Sequence, residues 1–204
     1  MANEFYALLG RMKYITRWGL MRNTFSENIQ EHSHQVAVLA HALALIRRDI
    51  LKLETPDPDK CAVAALYHDA SEILTGDMPT PIKYYNPDIK DAYKQVERIA
   101  GERLLEMLPD ALRESYRAYV LEDVGDMLPI VKAADKLSAY IKCVEEQKAG
   151  NTEFDSAEKA TMEAMKAMNR PELMWFIDNC LEPFKWTIDQ LYAMGNGTQA
   201  VPYI

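Results

Sequence analysis

Along nearly the whole chain apolar residues recur every three or four positions, the spacing of an amphipathic helix, while the β-branched alternation of a half-buried strand is scarce. In "NIQEHSHQVAVLAHALALIRR" Asn28 stands as an N-cap with Glu31 three residues on, a capping-box arrangement. Positions 36–46 of this helix are almost continuously apolar, which predicts a central, buried element. "TPDPDKCAVAALYHDASEIL" predicts a second helix with Pro58 in its first turn. An amphipathic stretch from Pro87 to about Leu108 predicts a third, and Pro109 begins a further one. "LPIVKAADKLSAYIKCVEEQKAG" predicts a helix stopped at Gly150 as the C′ residue. Two more are expected near 153–169 and 171–194, with Pro183 kinking or splitting the last.

One segment breaks the rhythm. "TGDMPTPIKYYNP" holds three prolines and a glycine, and proline disfavours helix in the residue before it, so a stiff loop is expected here. With no internal repeat and no linker-like run, the pattern predicts one all-α domain over residues 1–204, built of about seven to nine helices. The core would span about 5–180, with the tail 195–204 loosely held.

Composition narrows the function classes. Hydrophobic residues make up 49% and charged residues 26%, the balance of a soluble globular protein. No apolar run reaches the roughly 18 residues of a membrane span. Glu4 comes early in a start that lacks a signal peptide's basic-then-apolar order. The three cysteines stand singly inside helical patterns, which suggests neither a disulfide framework nor a cysteine-based zinc site. A cytoplasmic protein is the expectation. The net charge of −8 argues against a nucleic-acid polymer as partner. Residues 1–23 nevertheless carry Arg11, Lys13, Arg17 and Arg22 against Glu4 alone, and that basic segment would suit a small anion as well as ordinary surface duty.

The chemistry starts at "AVAALYHDASEIL", where an apolar helix places His68 beside Asp69. A carboxylate there is costly unless something pairs with it. Either the dyad lies on a solvated face or it grips a cation. Imidazole and carboxylate are standard ligands of Zn²⁺, Mn²⁺, Fe²⁺ or Co²⁺. Glu72, four residues after His68 and three after Asp69, would share their helix face. His32 and His34 are roughly 200° apart on a helix, so both cannot face one ion; His34 and His41 are expected to pack or hydrogen-bond.

"EHS" at 31–33, "YHDASEILTGDMPTP" at 67–81 and "KAADKLSAY" at 132–140 resemble the His…His-Asp…Asp pattern of the HD-domain phosphohydrolases. Within that superfamily the chain most resembles the bacterial 5′-deoxynucleotidases, through "RWGLMRN", "SEHS" and "HDASEILTGDMPTPIKY" in order. The resemblance implies an HD-domain helical bundle and one divalent metal ion (Co²⁺, Mn²⁺, Zn²⁺ or similar). It also implies hydrolysis of 2′-deoxynucleoside 5′-monophosphates, and a homodimer. The metal ligands it implies are His32, His68, Asp69 and Asp135. From spacing alone Asp135 reads as a surface acid paired with Lys132. Arg17 would hold the phosphate, its planar guanidinium suiting a bidentate grip. Glu72 would position or deprotonate a water, or pass its proton onward. Asp77 would protonate the leaving 5′-oxygen or hold the sugar hydroxyl. Thr80, Pro81, Ile82 and Lys83 resemble the family's substrate-contacting turn. Trp18, large and poor in rotamers, reads either as a core aromatic or as a wall against a 2′-hydroxyl. No histidine follows residue 68, so a two-metal diesterase does not fit. A nucleotide pyrophosphohydrolase, a broader monoester phosphatase and a non-catalytic nucleotide-binding regulator stand as alternatives.

Overall fold

Eleven α-helical segments, five short 3₁₀ or π segments and no strand make up the regular structure of the described residues, 3–83 and 85–195, in the computed structural model. They are α1 Phe5–Leu9, α2 Ile29–Leu45, α3 Pro58–Tyr67, α4 Glu72–Thr75, α5 Thr80–Lys83 and α6 Pro87–Glu106. α7 Asp110–Val120, α8 Leu128–Lys148, α9 Asp155–Ala167, α10 Pro171–Cys180 and α11 Ile188–Gly195 follow. The seven expected helices are the longer of these. The short ones come from sequence too brief to show a period. The expectation for the tail concerns residues 196–204, which lie outside the described residues.

Local chemistry sets the boundaries. The Asn28 side chain accepts from the Gln30 and Glu31 N–H groups while Glu31 reaches back to the Asn28 N–H, closing the capping box. Asp57 caps α3 from the residue before Pro58. Gly150 takes φ +82° just past α8, a conformation in which any Cβ would be strained. Around Pro183 the last predicted helix divides into α10, a 3₁₀ turn over Glu182–Lys185, and α11.

Two departures matter for the site. The helix expected to run through "HDASEIL" stops at Tyr67, and residues 68–71 form a turn before α4. His68 Nδ1 lies 2.7 Å from the Ala65 carbonyl and so takes the acceptor that the next turn of helix would use. Second, the expected stiff loop holds a single helical turn, α5. The Ile82 and Lys83 N–H groups both donate to the Pro79 carbonyl, so its prolines start a helix rather than exclude one.

α2 lies at the centre, packed on α3 and α8, with α9 on the far side of α8. Val36, Leu43, Ile130, Leu137 and Ile141 are fully buried between them, each such side chain contributing about 1.5–3 kcal/mol. Leu137→Ala alone would cost roughly 2–5 kcal/mol. A second apolar cluster joins Phe5 of α1, Ala70 of the turn, Leu104 and Leu105 of α6, and Val120 of α7. It fixes the turn that carries His68 and Asp69.

Two buried carboxylates tie peripheral chain to this frame. Glu172 accepts from Arg47 at 3.0 Å and Arg170 at 2.7 Å, pinning α10 to the end of α2. Glu146 of α8, fully buried, accepts from the Thr24 hydroxyl at 2.7 Å, from Asn151 at 2.8 Å and from Lys142 at 2.5 Å. Lys142 also donates to the Phe25 carbonyl at 2.8 Å and lies over the Phe25 ring. The segment preceding α2 is thereby held against α8.

Candidate active site

That segment folds back on itself. Thr16 and Asn28 form an isolated antiparallel bridge. The Arg17 N–H donates to the Glu27 carbonyl at 2.9 Å and the Ile29 N–H to that of Ile15 at 3.0 Å. Arg17 and Trp18 are so brought beside the first turns of α2, where His32 sits. The turn after α3 delivers His68 and Asp69, and α8 delivers Asp135 from its middle.

These side chains converge. His32 Nε2 lies 3.1 Å from Asp135 Oδ1 and 3.6 Å from Asp69 Oδ2, and His68 Nε2 lies 3.1 Å from Asp69 Oδ2. A carbonyl can only accept, so His68 Nδ1 carries the proton toward Ala65 and leaves Nε2 with a free lone pair. His32 is set the same way. Ser138 gives its hydroxyl proton to Gln35 at 2.6 Å and so accepts from His32 Nδ1 at 3.2 Å.

His32 Nε2, His68 Nε2, Asp69 Oδ2 and Glu72 Oε2 are all buried without an aligned hydrogen-bond partner. Four such orphans at one place are far from normal in a folded interior. With Nε2 unprotonated on both rings, the close nitrogen–oxygen approaches set lone pair against lone pair and are not hydrogen bonds. Ligands about 2.0–2.2 Å from one ion stand roughly 3–4 Å apart, the range of these separations. His32, His68 and Asp135 each offer an atom within 4.8 Å of the others. Asp69 flanks that trio. Two imidazoles with carboxylates fit Zn²⁺, Mn²⁺ or Co²⁺ by donor type.

The charges around the cluster are strongly coupled. Burial opposes ionisation of Asp69 and Asp135, but the facing histidines outweigh it, and both carboxyls are held below the ordinary range. Burial would lower the Arg17 pKa, yet Asp69, Asp135, Glu27 and Asp77 raise it. Its NH1 lies 3.5 Å from Asp69 Oδ2 and its Nε 3.3 Å from Glu27 Oε2. Glu72, 5% exposed, is pushed up to about 10 by burial and then by the charges of Asp69 and Asp77. Asp77 is raised by burial while Arg17 pulls it down, and the Trp18 backbone helps to hold its carboxylate. Arg17, Glu72 and Asp77 therefore lie within electrostatic reach of the metal-ligand candidates, and Trp18 joins them through its bonds to Glu27 and Asp77.

Other residues fall differently. Lys132 pairs with Glu122 at 2.7 Å rather than with Asp135, which turns inward to His32. Thr80, Pro81 and Ile82 are exposed on α5. Lys83 pairs with Glu97 at 2.7 Å, and its charge still reaches Glu72. His34 is exposed, because two residues along the helix from His32 is the opposite face. His41 Nε2 lies 3.3 Å from Asp59 of α3. Trp18 is half-buried, its ring 5.3 Å from that of Phe154 and its Nε1–H donating to Glu27 at 2.7 Å. Sequence reasoning missed Glu27, Gln35 and Ser138. Ser138 was within reach, three residues after Asp135 on one helix face; Glu27 precedes the helix and carries no periodic signal.

Residues 4–184 match the family model described as 5′-deoxynucleotidase YfbR-like. A 5′-deoxynucleotidase of Vibrio cholerae serotype O1 is 45% identical, over 93% of this chain and 98% of its own. One from Erwinia tasmaniensis is 46% identical, over 93% and 96%. Among solved structures, an HD-domain phosphohydrolase from Listeria innocua aligns with TM-score 0.77 at 20% identity, covering 89% of this chain and 88% of that one. A cyanophage S-2L HD phosphohydrolase, bound to dA and one catalytic Zn²⁺ ion, aligns with TM-score 0.61 at 21% identity, covering 86% and 95%. The helical order is thus that of the HD-domain fold, and at this identity and coverage the chain belongs to the YfbR-like 5′-deoxynucleotidase family.

Proposed function

We propose that the protein is a metal-dependent 5′-deoxynucleotidase, one HD domain that hydrolyses 2′-deoxynucleoside 5′-monophosphates to deoxynucleosides and phosphate. The observation that carries this is the set of orphaned lone pairs on His32, His68, Asp69 and Glu72 beside the buried Arg17 guanidinium. His32, His68, Asp69 and Asp135 would hold one divalent ion, Zn²⁺, Mn²⁺ or Co²⁺ by donor type. Such an ion supplies Lewis-acid stabilisation of phosphoryl charge and acidifies the attacking water.

The chain's own residues do the rest. Arg17, anchored at Nε by Glu27, turns its remaining donors to the phosphate oxygens. Glu72 Oε2, buried and unpartnered, would position the attacking water, and would take its proton or pass it onward once a cation between the ligands offsets the charges of Asp69 and Asp77 that keep the carboxyl protonated. Asp77, raised by burial and pulled down by Arg17, protonates the leaving 5′-oxygen or else holds the sugar hydroxyl. Trp18 forms a rigid wall where a 2′-hydroxyl would lie, crowding it and leaving it without a partner. Thr80 to Lys83 would contact the substrate, as the resemblance implies. A cytoplasmic homodimer is the working form we propose, the dimer being what the resemblance to the bacterial 5′-deoxynucleotidases implies.

The test is phosphate release from a panel of deoxy and ribo mono-, di- and triphosphates, with and without chelator. Chelator-sensitive release from dNMPs above all others is the expected result. Pyrophosphate release from triphosphates would replace this reading with a pyrophosphohydrolase. Tight dNMP binding without turnover in metal-loaded protein would make it a regulator.

A further inference from the structure

Glu27 stands where the three parts of the site meet, and none of the chemistry above uses it as a reacting group. It is 8% exposed and placed just before α2. One carboxylate oxygen, Oε2, accepts from Trp18 Nε1 at 2.7 Å and from Arg17 Nε at 3.3 Å. The other, Oε1, lies 3.8 Å from His32 Nδ1. Its backbone carbonyl accepts the Arg17 N–H at 2.9 Å. A further buried acid is electrostatically out of place among Asp69, Asp77, Asp135 and Glu72, and the Arg17 guanidinium is the cation that offsets it.

Trp18 needs an external hold. Its φ is +60°, a left-handed conformation that a bulky residue adopts only when its surroundings impose it. The indole meets the Phe154 ring on one side and the Glu27 carboxylate at its N–H. The same oxygen that fixes the indole also fixes the guanidinium edge away from the substrate. Phosphate grip and sugar wall are therefore held in register by one atom.

We propose that Glu27 is a positioning residue that sets deoxyribose specificity, by locking Trp18 and Arg17 to each other through Oε2. The proposal rests on the deoxynucleotidase reading. It assigns the two bonds separate effects: the bond to Arg17 governs the affinity for the phosphate, and the bond to Trp18 governs the discrimination against a 2′-hydroxyl. Neither bond touches the metal ligands' Nε2 or carboxylate atoms.

Glu27→Gln, Glu27→Ala and Trp18→Phe separate the effects in the metal-loaded full-length protein. Gln keeps an oxygen for the indole N–H but loses the charge facing Arg17. It should raise KM for dAMP about tenfold with kcat within about threefold, and leave the dAMP:AMP ratio of kcat/KM nearly intact. Ala loses both bonds, so KM rises similarly and the ratio falls by about tenfold or more. Trp18→Phe keeps a ring but lacks the N–H, and should lower the ratio without the rise in dAMP KM. Combining it with Glu27→Ala should lower the ratio no further than Glu27→Ala alone. Metal content should match wild type throughout. An unchanged ratio in Trp18→Phe, or in folded, metal-replete Glu27→Ala, overturns the proposal. So does a loss of metal in Glu27→Gln, which would make Glu27 a support of His32 instead. Failure of the deoxynucleotidase reading looks different, since wild type itself would then release no phosphate from dAMP.

Discussion

Glu72→Gln should make the protein less active and more stable at once. The carboxyl is 5% exposed with Oε2 unpartnered, and burial plus Asp69 and Asp77 raise its pKa from 4.5 to about 10 in the metal-free chain. The sign follows from proton counting. Between those two values the folded state holds a proton that the unfolded state has released, so stability falls as pH rises through that window. Each pH unit is worth about 1.4 kcal/mol, so at pH 7 the metal-free fold has lost at most about 3 kcal/mol to this group. Glutamine has the same shape and no proton to bind. The metal-free variant should therefore unfold roughly 6–12 °C higher than wild type at pH 7, with the difference closing toward pH 4.5. Turnover of dAMP with metal present should fall about 10²–10⁴-fold, the usual contribution of a group that handles the proton. Thermal unfolding in chelator across pH 4.5–8, paired with kcat and KM by phosphate release, reads both quantities. A variant that unfolds at lower temperature at every pH would make Glu72 a structural residue. A kcat within threefold of wild type, with only KM changed, would make it a binding residue.

His68→Ala and Asp69→Asn each remove a metal-ligand candidate, so both should lose bound metal and activity together; elemental analysis beside the phosphate assay checks this, and full activity without metal would remove the site. Trp18→Ala should raise activity on AMP relative to dAMP while phosphate affinity is largely kept, read as the ratio of kcat/KM; an unchanged ratio in a folded variant would move the discrimination to the 77–83 segment. Burial works against ionised Glu146, but hydrogen bonds from Lys142, Asn151 and Thr24 prevail and hold its pKa at about 2, against 4.5 in the unfolded chain. Its stabilisation is complete above pH 4.5 and is lost as pH falls toward 2. Wild type should lose thermal stability more steeply than Glu146→Gln over that interval, and parallel slopes would contradict the argument.

How far the site could be read before folding depends on whether a residue's partners lie within one or two helical turns. The starts of α2 and α3 were legible because Asn28, Glu31 and Pro58 act within a few residues of themselves. The His68-Asp69 pair was legible as an anomaly, a carboxylate where burial should forbid one. The break at residue 68 was not, because it follows from an imidazole taking a backbone acceptor three residues back, and the apolar spacing runs on undisturbed through Ile73 and Leu74. Asp135 shows the limit from the other side. Spacing gave it Lys132 as a neighbour, and only the packing of α8 on α2 turns it toward His32, 103 residues earlier, leaving Lys132 to Glu122. The resemblance to the HD-domain enzymes supplied that long-range pairing in place of geometry. It could not supply Glu27, whose partners Arg17 and Trp18 are ten and nine residues away across an irregular turn that no helical or strand period describes. A residue of that kind leaves no trace in hydrophobic pattern, and its function becomes visible only once the backbone bridge between Thr16 and Asn28 has brought the two ends of the turn together.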